Sequence, residues 1–279
     1  MLVRQWIQKA QEQLRLASCP DADWDAKLLV SGVYDISPGV LFQKLDTELD
    51  GETEAKLNGR LMRRIQGEPL QYIEEKAYFM GLEFFVDRRV LIPRQDTETL
   101  AEKAVELIKG REEKSVLDLC TGSGAIAVAI AKYCKNARVT ATDISSDALE
   151  AAKENALKNH ADIEFLLGDG FQPTKDRVFD VITCNPPYLT KEDMLNLQRE
   201  VKMEPALALF GGNDGLQIYR DFSKSLIRHM KNRGYALFEV GEGQAEDVID
   251  IITRDAEYGE KGIIKDLNGI QRVVWVRRS

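Results

Sequence analysis

Histidine is almost missing from this chain: only His160 and His229 occur among 279 residues. Metal sites built on several imidazoles and histidine-centred nucleophilic triads are thereby set aside. The four cysteines, Cys19, Cys120, Cys134 and Cys184, are widely spaced and form no C-x-x-C pair. That spacing argues against a disulfide framework or a zinc ribbon and for a reducing compartment. No apolar run approaches the ~20 residues that span a bilayer. Residues 1–17 alternate apolar and charged positions and lack the uninterrupted apolar core of a signal peptide. A cytoplasmic protein without a membrane anchor is expected. A basic excess is missing too: 38 Lys+Arg against 46 Asp+Glu leave a net charge of −8, poorly suited to gripping duplex phosphate. With 44% apolar and 30% charged residues, the composition is that of a globular chain able to build one large core or two smaller ones.

What is present begins with helices. Trp6, Ile7, Ala10, Leu14 and Ala17 recur at helical spacing. A second helix is predicted to carry Trp24, Ala26, Leu28, Leu29 and Val33. A third runs from about Gly51 to Ile65 with Ala55, Leu57, Leu61, Met62 and Ile65 inward, stopped by Gly67 and Pro69. Arg60, Arg63 and Arg64 read as a small solvated basic face on it, with docking of a partner as the alternative. Then Ala77–Val86 alternates aromatic and polar positions, and Val90–Ile92 follows after Asp87-Arg88-Arg89. This pattern predicts a β-hairpin. Asp96 or Thr97 can cap the next helix, through about Lys109.

From Ser115 onward strands and helices alternate. Strands are expected at Ser115–Leu119, Arg138–Asp143, Ile163–Gly168, Asp180–Cys184 and Tyr235–Val240. Helices are expected at about Gly124–Cys134, Ser146–Asn159, Gly215–Lys231 and Gln244–Arg254. The rhythm is that of a doubly wound, mostly parallel sheet. It ends with Gly262–Asp266 and Arg272–Val276 joined through Asn268-Gly269, a strong hairpin signal. The expected fold is α/β, with an antiparallel strand pair closing the sheet. The expected organisation is a helical domain over residues 1–74, a hairpin linker over 75–95 and an α/β domain over 96–279.

Three successive strand ends carry polar features. The first opens into Cys120-Thr121-Gly122-Ser123-Gly124, a glycine turn that lets the backbone approach a ligand. The second ends at Asp143, about twenty residues later, where a carboxylate can accept from ribose hydroxyls. Alternatively Asp143 caps the following helix, although Ser145 or Ser146 could do so. The third is followed by Gly168-Asp169-Gly170-Phe171, with Asp169 placed to accept from an adenine amine and Phe171 to lie on the ring. The series suits a nucleoside ligand. It resembles the class I S-adenosylmethionine-dependent methyltransferases, in which the terminal antiparallel pair is also a hallmark. Cys120 stands where that family has its first glycine. A side chain there is expected to require a negative φ and to crowd the cofactor's methionine tail.

The sharpest signal is Asn185-Pro186-Pro187-Tyr188, directly after an apolar strand. Two prolines alone could simply end the strand, but that leaves the flanking Asn and Tyr unexplained. A delocalised amide or aromatic-amine nitrogen is a poor nucleophile. Two acceptors gripping both of its N–H bonds can aim its lone pair and stabilise the developing charge. The Asn185 side-chain oxygen and the Pro186 carbonyl can be those acceptors, while Pro187 stiffens the loop and Tyr188 packs on the planar group. No histidine is needed.

The chain is similar to the HemK/PrmC family of protein-glutamine methyltransferases. The resemblance rests on Gly67–Ile73, Leu91–Glu98, Asp118–Ala127, Asp143–Ser145, Asn185–Tyr188, Gly211–Leu216, Glu239–Gly241, Lys265–Leu267 and Arg272, in that order. It implies transfer of a methyl group from S-adenosyl-L-methionine to the glutamine amide of the Gly-Gly-Gln motif in class I peptide release factors. It further implies that Cys120, Thr121, Gly122, Ser123, Gly124, Asp143, Asp169, Phe171 and Asn185 bind the cofactor. Asn185, Pro186, Pro187 and Tyr188 would hold the substrate, with the helical domain recognising it. Arg94 and Glu98 belong to a family motif and could act there or only anchor the chain. Met194–Met203 can be a lid or ordinary packing, and Glu200 and Glu204 either touch substrate or are solvated. A monomer without a nucleic-acid partner is expected. The alternatives are a nucleic-acid adenine or guanine methyltransferase, disfavoured by the acidic charge, and a non-catalytic adaptor, disfavoured by the intact Asn185–Tyr188 motif.

Overall fold

The computed structural model describes residues 1–110, 112–254 and 256–279. They form two compact units. The first comprises Met1–Lys76 together with Gln198–Met203. Its helices are α1 (Val3–Leu16), α2 (Ala22–Tyr34), α3 (Gly51–Ile65) and α4 (Leu70–Glu74), with a 3-10 turn at Pro38–Lys44. Asp50 caps α3 by accepting from the Thr53 amide at 2.7 Å. Trp6, Ala10, Leu14, Leu29, Leu57 and Leu61 meet in its core, and the Trp6 indole donates to Asn58 Oδ1 at 2.9 Å.

Three apolar residues, Trp24, Ala55 and Met62, and one charged residue depart from the predicted faces, Ala55 being exposed. Trp24 is 52% and Met62 51% exposed, whereas Arg64 is only 3% exposed. Arg64 is not part of a solvated basic face. Its Nε donates to Asp25 Oδ2 at 2.7 Å, one terminal nitrogen to Glu200 Oε1 at 2.5 Å, and the other to the Glu68 carbonyl at 3.2 Å. Arg63 forms a two-pronged pair with Glu68, and Arg60 one with Glu74. The three arginines are thus spent inside the unit. Guanidinium stems at helical spacing are legible as basic, and Glu68 as an acid that offsets them, but not Asp25, Glu74 and Glu200 as further carboxylates that meet them.

The second unit comprises Ala77–Leu197 and Glu204–Ser279. A hairpin of β1 (Ala77–Phe79) and β2 (Leu82–Phe84) precedes α5 (Gln95–Ile108). The hairpin is tighter than expected. It turns at Met80-Gly81, both with positive φ as a two-residue turn between twisted strands requires. Val90–Ile92 lies in irregular chain. Glu98 on α5 accepts from the Met80 amide and Tyr133 donates to the Met80 carbonyl, each at 2.5 Å. Glu98 therefore anchors the turn. Arg94, not Asp96 or Thr97, is the N-cap residue of α5, because Thr97 is buried and otherwise engaged.

The α/β alternation follows as read: β3 (Lys114–Leu119), α6 (Ala125–Tyr133), β4 (Ala137–Asp143), α7 (Ser146–Lys158), β5 (Ile163–Leu167), β6 (Phe179–Cys184), α8 (Lys191–Leu195), α9 (Gln217–His229), β7 (Met230–Glu239), α10 (Ala245–Thr253), β8 (Glu260–Lys265) and β9 (Gln271–Arg277). The strand order is β5-β4-β3-β6-β7-β9-β8. The first five are parallel, and β9 runs antiparallel to both β7 and β8. The closing turn follows the Asn-Gly prediction, with Gly269 at φ +81 and Asp266 accepting from the Asn268 and Ile270 amides. Strand β7 starts earlier than expected, at Met230, with an irregular pairing to β6. Parallel strands buried on both faces explain the near-continuous apolar runs of β3 and β6. Among the described residues no helix is long and apolar enough to cross a membrane.

Arg64→Ala is expected to lower the stability of the first unit by roughly 3–5 kcal/mol, because it strands the buried Asp25 carboxylate. Urea denaturation followed by tryptophan fluorescence measures it, and a loss below about 1 kcal/mol contradicts the assignment.

Candidate active site

The chain reversal between β3 and α6 builds the first wall of the site. Asp118, fully buried at the end of β3, accepts from the hydroxyls of Thr121 at 2.6 Å and Thr183 at 2.8 Å. Burial pushes its carboxyl up to about 6 despite these two donors. The Thr121 amide donates to the Thr142 carbonyl at 3.0 Å, and the Gly122 amide to Asp143 Oδ2 at 2.8 Å. These bonds fix the path of the turn. Along it Cys120 has φ +56, Gly122 +55 and Gly124 +79. The expectation of a negative φ at Cys120 is therefore corrected. The chain keeps a glycine-like path with a side chain on it, at a cost of roughly 1–2 kcal/mol.

Asp143 ends β4 and is 9% exposed. Its Oδ1 accepts from the Ser145 amide at 2.9 Å, while Ser145 itself caps α7 through its hydroxyl. Burial raises the Asp143 carboxyl, and the amides of Ser145 and Gly122 oppose that rise. Each oxygen keeps a further lone pair for a ligand hydroxyl.

A cavity of about 270 Å³ opens over these strand ends. Cys120, Thr121, Gly122, Ser123, Asp143, Asp169 and Asn185, all among the residues that the resemblance implies for the cofactor, line it. Pro187 is on the wall as well. Gly124, Pro186, Tyr188 and Phe171 lie outside the lining among the described residues. Phe171 is the clearest departure. Its ring stacks on His229 at 4.5 Å and 9° and packs edge-on to Phe222 at 5.6 Å. Phe222 of α9 is the aromatic ring at the cavity, admitted by Gly170, where an added Cβ would stand 2.5 Å from the ring. Sequence reasoning missed Phe222 because nothing in α9 marks that position. It also missed Val90, Leu91, Ile126, Ile144 and Leu207, which supply apolar wall. Of these, Leu91, Ile126 and Ile144 fell within motifs singled out in the sequence, whereas Leu207 did not.

The Asn185–Tyr188 segment is gripped from two sides. Leu189 exchanges backbone bonds with Leu209 and Gly211, both at 2.9 Å. Gln244 donates to the Tyr188 carbonyl at 3.1 Å and accepts from the Gly241 amide at 3.0 Å. An added Cβ would lie 2.6 Å from the Pro187 carbonyl oxygen at Gly211, and 2.2 Å from that of Tyr188 at Gly215. The GGNDGL motif thus works by close backbone approach. Within this cradle the Asn185 Nδ2 donates to Thr97 Oγ1 at 3.2 Å. The Tyr188 ring is partly buried against the core, and its hydroxyl meets Glu239 Oε1 at 3.4 Å. Glu204, only 6% exposed, accepts from the Ile92 amide at 3.1 Å and pairs with Arg94. Neither Glu204 nor the Arg64-bound Glu200 is a solvated acid.

Comparison with known proteins adds to this geometry. A methyltransferase small domain model matches residues 97–207, and a PrmC N-terminal domain model matches residues 5–74. A release factor glutamine methyltransferase of Thermodesulfovibrio yellowstonii is 39% identical over 259 residues, covering 91% of this chain and 92% of its own. One from Koribacter versatilis is 36% identical over 280 residues, covering 100% and 99%. The chain belongs to the release factor glutamine methyltransferase family. Among solved structures, a methyltransferase from Pyrococcus furiosus superposes with a TM-score of 0.53 at 17% identity, covering 80% of this chain and 99% of its own. The Thermus thermophilus 16S rRNA N2 G1207 methyltransferase in complex with AdoMet and guanosine gives 0.53 at 16%, covering 73% and 50%. At these identities the structures establish the α/β fold.

As a member of this family the chain is an S-adenosyl-L-methionine-dependent methyltransferase. The site suits that cofactor. Asp143 offers free carboxylate lone pairs for ribose, the glycine turn presents backbone, and the apolar wall accommodates a planar base.

Gly215→Ala is expected to cost about 2 kcal/mol or more, since φ +74 and the Tyr188 carbonyl both oppose a side chain. Gly243→Ala, also at positive φ but in open space, is expected to cost about 1 kcal/mol. Equal melting shifts for the two would contradict the close-approach role.

Proposed function

We propose that the chain methylates the side-chain amide nitrogen (N5) of the glutamine in the Gly-Gly-Gln motif of class I peptide release factors. The observation that carries this reading is the placement of the Asn185 side chain on the same cavity wall as the glycine turn and Asp143. The family's named relatives act on release factors, and the motif chemistry calls for a planar nitrogen.

The cofactor supplies an electrophilic methyl group on a sulfonium. The chain's residues do the rest. With the cofactor bound, Asp143 would hold the ribose, the backbone of Cys120–Gly124 the methionine portion and Asp169 the base. Asn185 Oδ1 and the Pro186 carbonyl accept the two N–H bonds of the substrate amide. That grip turns the nitrogen lone pair out of conjugation and toward the methyl carbon, and favours the positive charge that builds on nitrogen. The N–C bond forms as the sulfonium S–C bond breaks, and S-adenosyl-L-homocysteine is the leaving group. The methylated nitrogen then gives its extra proton to solvent, so no general base is needed to start the attack. Pro186 and Pro187 stiffen the segment, and Tyr188 braces it from behind. The helical unit would recognise the body of the release factor. The proposed setting is the cytoplasm, with the chain acting as a monomer.

Labelled S-adenosyl-L-methionine, incubated with a purified release factor and its Gln→Ala variant in Gly-Gly-Gln, tests the target. Label confined to the unaltered factor is the expected result. Label in the variant, or in RNA instead of protein, overturns it. Asn185→Ala should lower kcat by about 10²–10³-fold and leave cofactor Kd within a few-fold. Asp143→Ala should do the reverse, weakening the cofactor by about tenfold or more for the loss of charged hydrogen bonds. Calorimetric titration separates the two.

A further inference from the structure

One buried amide has no part in the chemistry above, yet it ties together two stretches of chain that wall the cavity. Asn155 on α7 is fully buried. Its Nδ2 donates to the Ser123 carbonyl at 3.0 Å and to the Phe85 carbonyl at 2.9 Å, and its Oδ1 accepts from the Phe85 amide at 2.7 Å. Both hydrogens of the NH₂ group and the oxygen are thus spent on backbone. Ser123 belongs to the glycine turn on the cavity wall. Phe85 opens the irregular segment that leaves β2 and reaches the cavity at Arg89, Val90 and Leu91. A buried amide opposes folding unless it is paired, and here the pairing joins turn to segment.

We propose that Asn155 is a positioning residue for the cofactor, which fixes the Ser123–Gly124 peptide of the glycine turn and makes its orientation depend on the seating of residues 85–91. This rests on the reading of Cys120–Gly124 as backbone that lies along the cofactor. The peptide is held at both ends. Its N–H donates to the Thr121 carbonyl at 2.8 Å, and its C=O accepts from Asn155. Gly124 follows it, and a residue without Cβ lets a peptide turn over at little steric cost. Turning it over breaks both bonds. Helix α7 is the platform: an added Cβ at Gly124 would stand 3.1 Å from the Cβ of Ala152, and Ala148 lies on the cavity wall. Positions 148, 152 and 155 share one helix face. That face therefore carries the wall, the close approach and the peptide clamp.

The same amide gives Phe85 what a neighbouring strand would give it, one donor and one acceptor. Asp87 then turns the chain by accepting from the Arg89 amide at 2.9 Å, and Glu154, next to Asn155, accepts from the Arg89 guanidinium at 3.2 Å. Removing the Asn155 side chain takes this partner from the Ser123 carbonyl and from both backbone groups of Phe85. Turn and segment then spend part of their time unseated, and apparent cofactor affinity falls with the seated fraction. The Asn185–Tyr188 segment is braced by Gly211, Gly215 and Gln244, away from α7, so turnover of the saturated chain is preserved. Asn159, one turn beyond Asn155, provides the contrast. Its Nδ2 donates to the Glu83 carbonyl at 3.0 Å. It holds the hairpin to the helix and lies outside the cavity lining among the described residues.

The test uses the full chain. It reads S-adenosyl-L-methionine Kd by calorimetric titration, kcat on a purified release factor at saturating cofactor, and the melting temperature. Asn155→Ala should raise Kd about tenfold or more and leave saturated kcat within a few-fold. Asn155→Asp, which keeps the shape and loses the NH₂ group, should do the same. Asn159→Ala should lower the melting temperature comparably and leave Kd unchanged, which a general softening of α7 does not predict. In the unaltered chain, saturating cofactor should slow hydrogen exchange at the Phe85 amide about tenfold or more, read by NMR. That measurement needs no variant to fold. Unchanged Kd in Asn155→Ala, an equal loss of affinity in Asn159→Ala, a saturated kcat that falls as far as the affinity, or Phe85 exchange indifferent to cofactor overturns the proposal. If Asp143→Ala and Asn155→Ala both bind cofactor as the unaltered chain does, the underlying reading of the cavity fails and this proposal falls with it. If Asp143→Ala binds weakly while Asn155→Ala binds normally, only this proposal fails.

Discussion

The external bracing of the backbone from Asn185 to Leu189 is the constraint on which the site depends. A segment with two prolines lies where a strand stops, and little in its own sequence holds it in place. The grip comes from elsewhere: the turn around Gly211 and Gly215, the Gln244 side chain, and paired backbone bonds between Leu189 and the chain near Phe210. The Tyr188 carbonyl and both backbone groups of Leu189 find partners in this cradle, as buried backbone must. Motifs 25 to 60 residues further along the chain are therefore part of the same device, although none of them need touch substrate.

The fold was legible where local rules suffice. Short apolar strands separated by glycine turns identify a parallel sheet, and Asn268-Gly269 identifies its closing hairpin. The first hairpin was misplaced because its turn, Met80-Gly81, carries weak turn chemistry and is held by Glu98 and Tyr133, distant in sequence. The same limit governs the site. The glycine turn and Asp143 were readable because their spacing is set by one β-α-β unit. Phe222 lines the cavity and Phe171 does not, the Phe171 ring being stacked on His229, a packing that no pattern along the chain reveals. Glu239 could be matched to a motif, but its burial beside Tyr188 required the sheet to be assembled.

Both units bury charge, and they do so differently. In the helical unit Arg64 meets two carboxylates and a carbonyl, so its donors are well used. Near the site, Asp118 and Glu239 sit at strand ends with hydroxyl donors and without a cation bonded directly to them, and both are shifted upward. The first arrangement favours a single packing of helices. The second leaves two acids at the carboxyl edge of the sheet whose carboxyls burial pushes upward.

The path of the chain through the helical unit has a consequence for how such a protein can be divided. Residues 198–203 leave the α/β unit, supply Glu200 to Arg64, and return at Glu204. A fragment that ends before the hairpin would keep Asp25 and lose the second carboxylate. A fragment that begins at the hairpin would carry six residues whose packing partners are gone. The helical unit is thus not a detachable module that recombination could graft intact onto another methyltransferase at one junction. To move it, three crossings of the chain would have to move together.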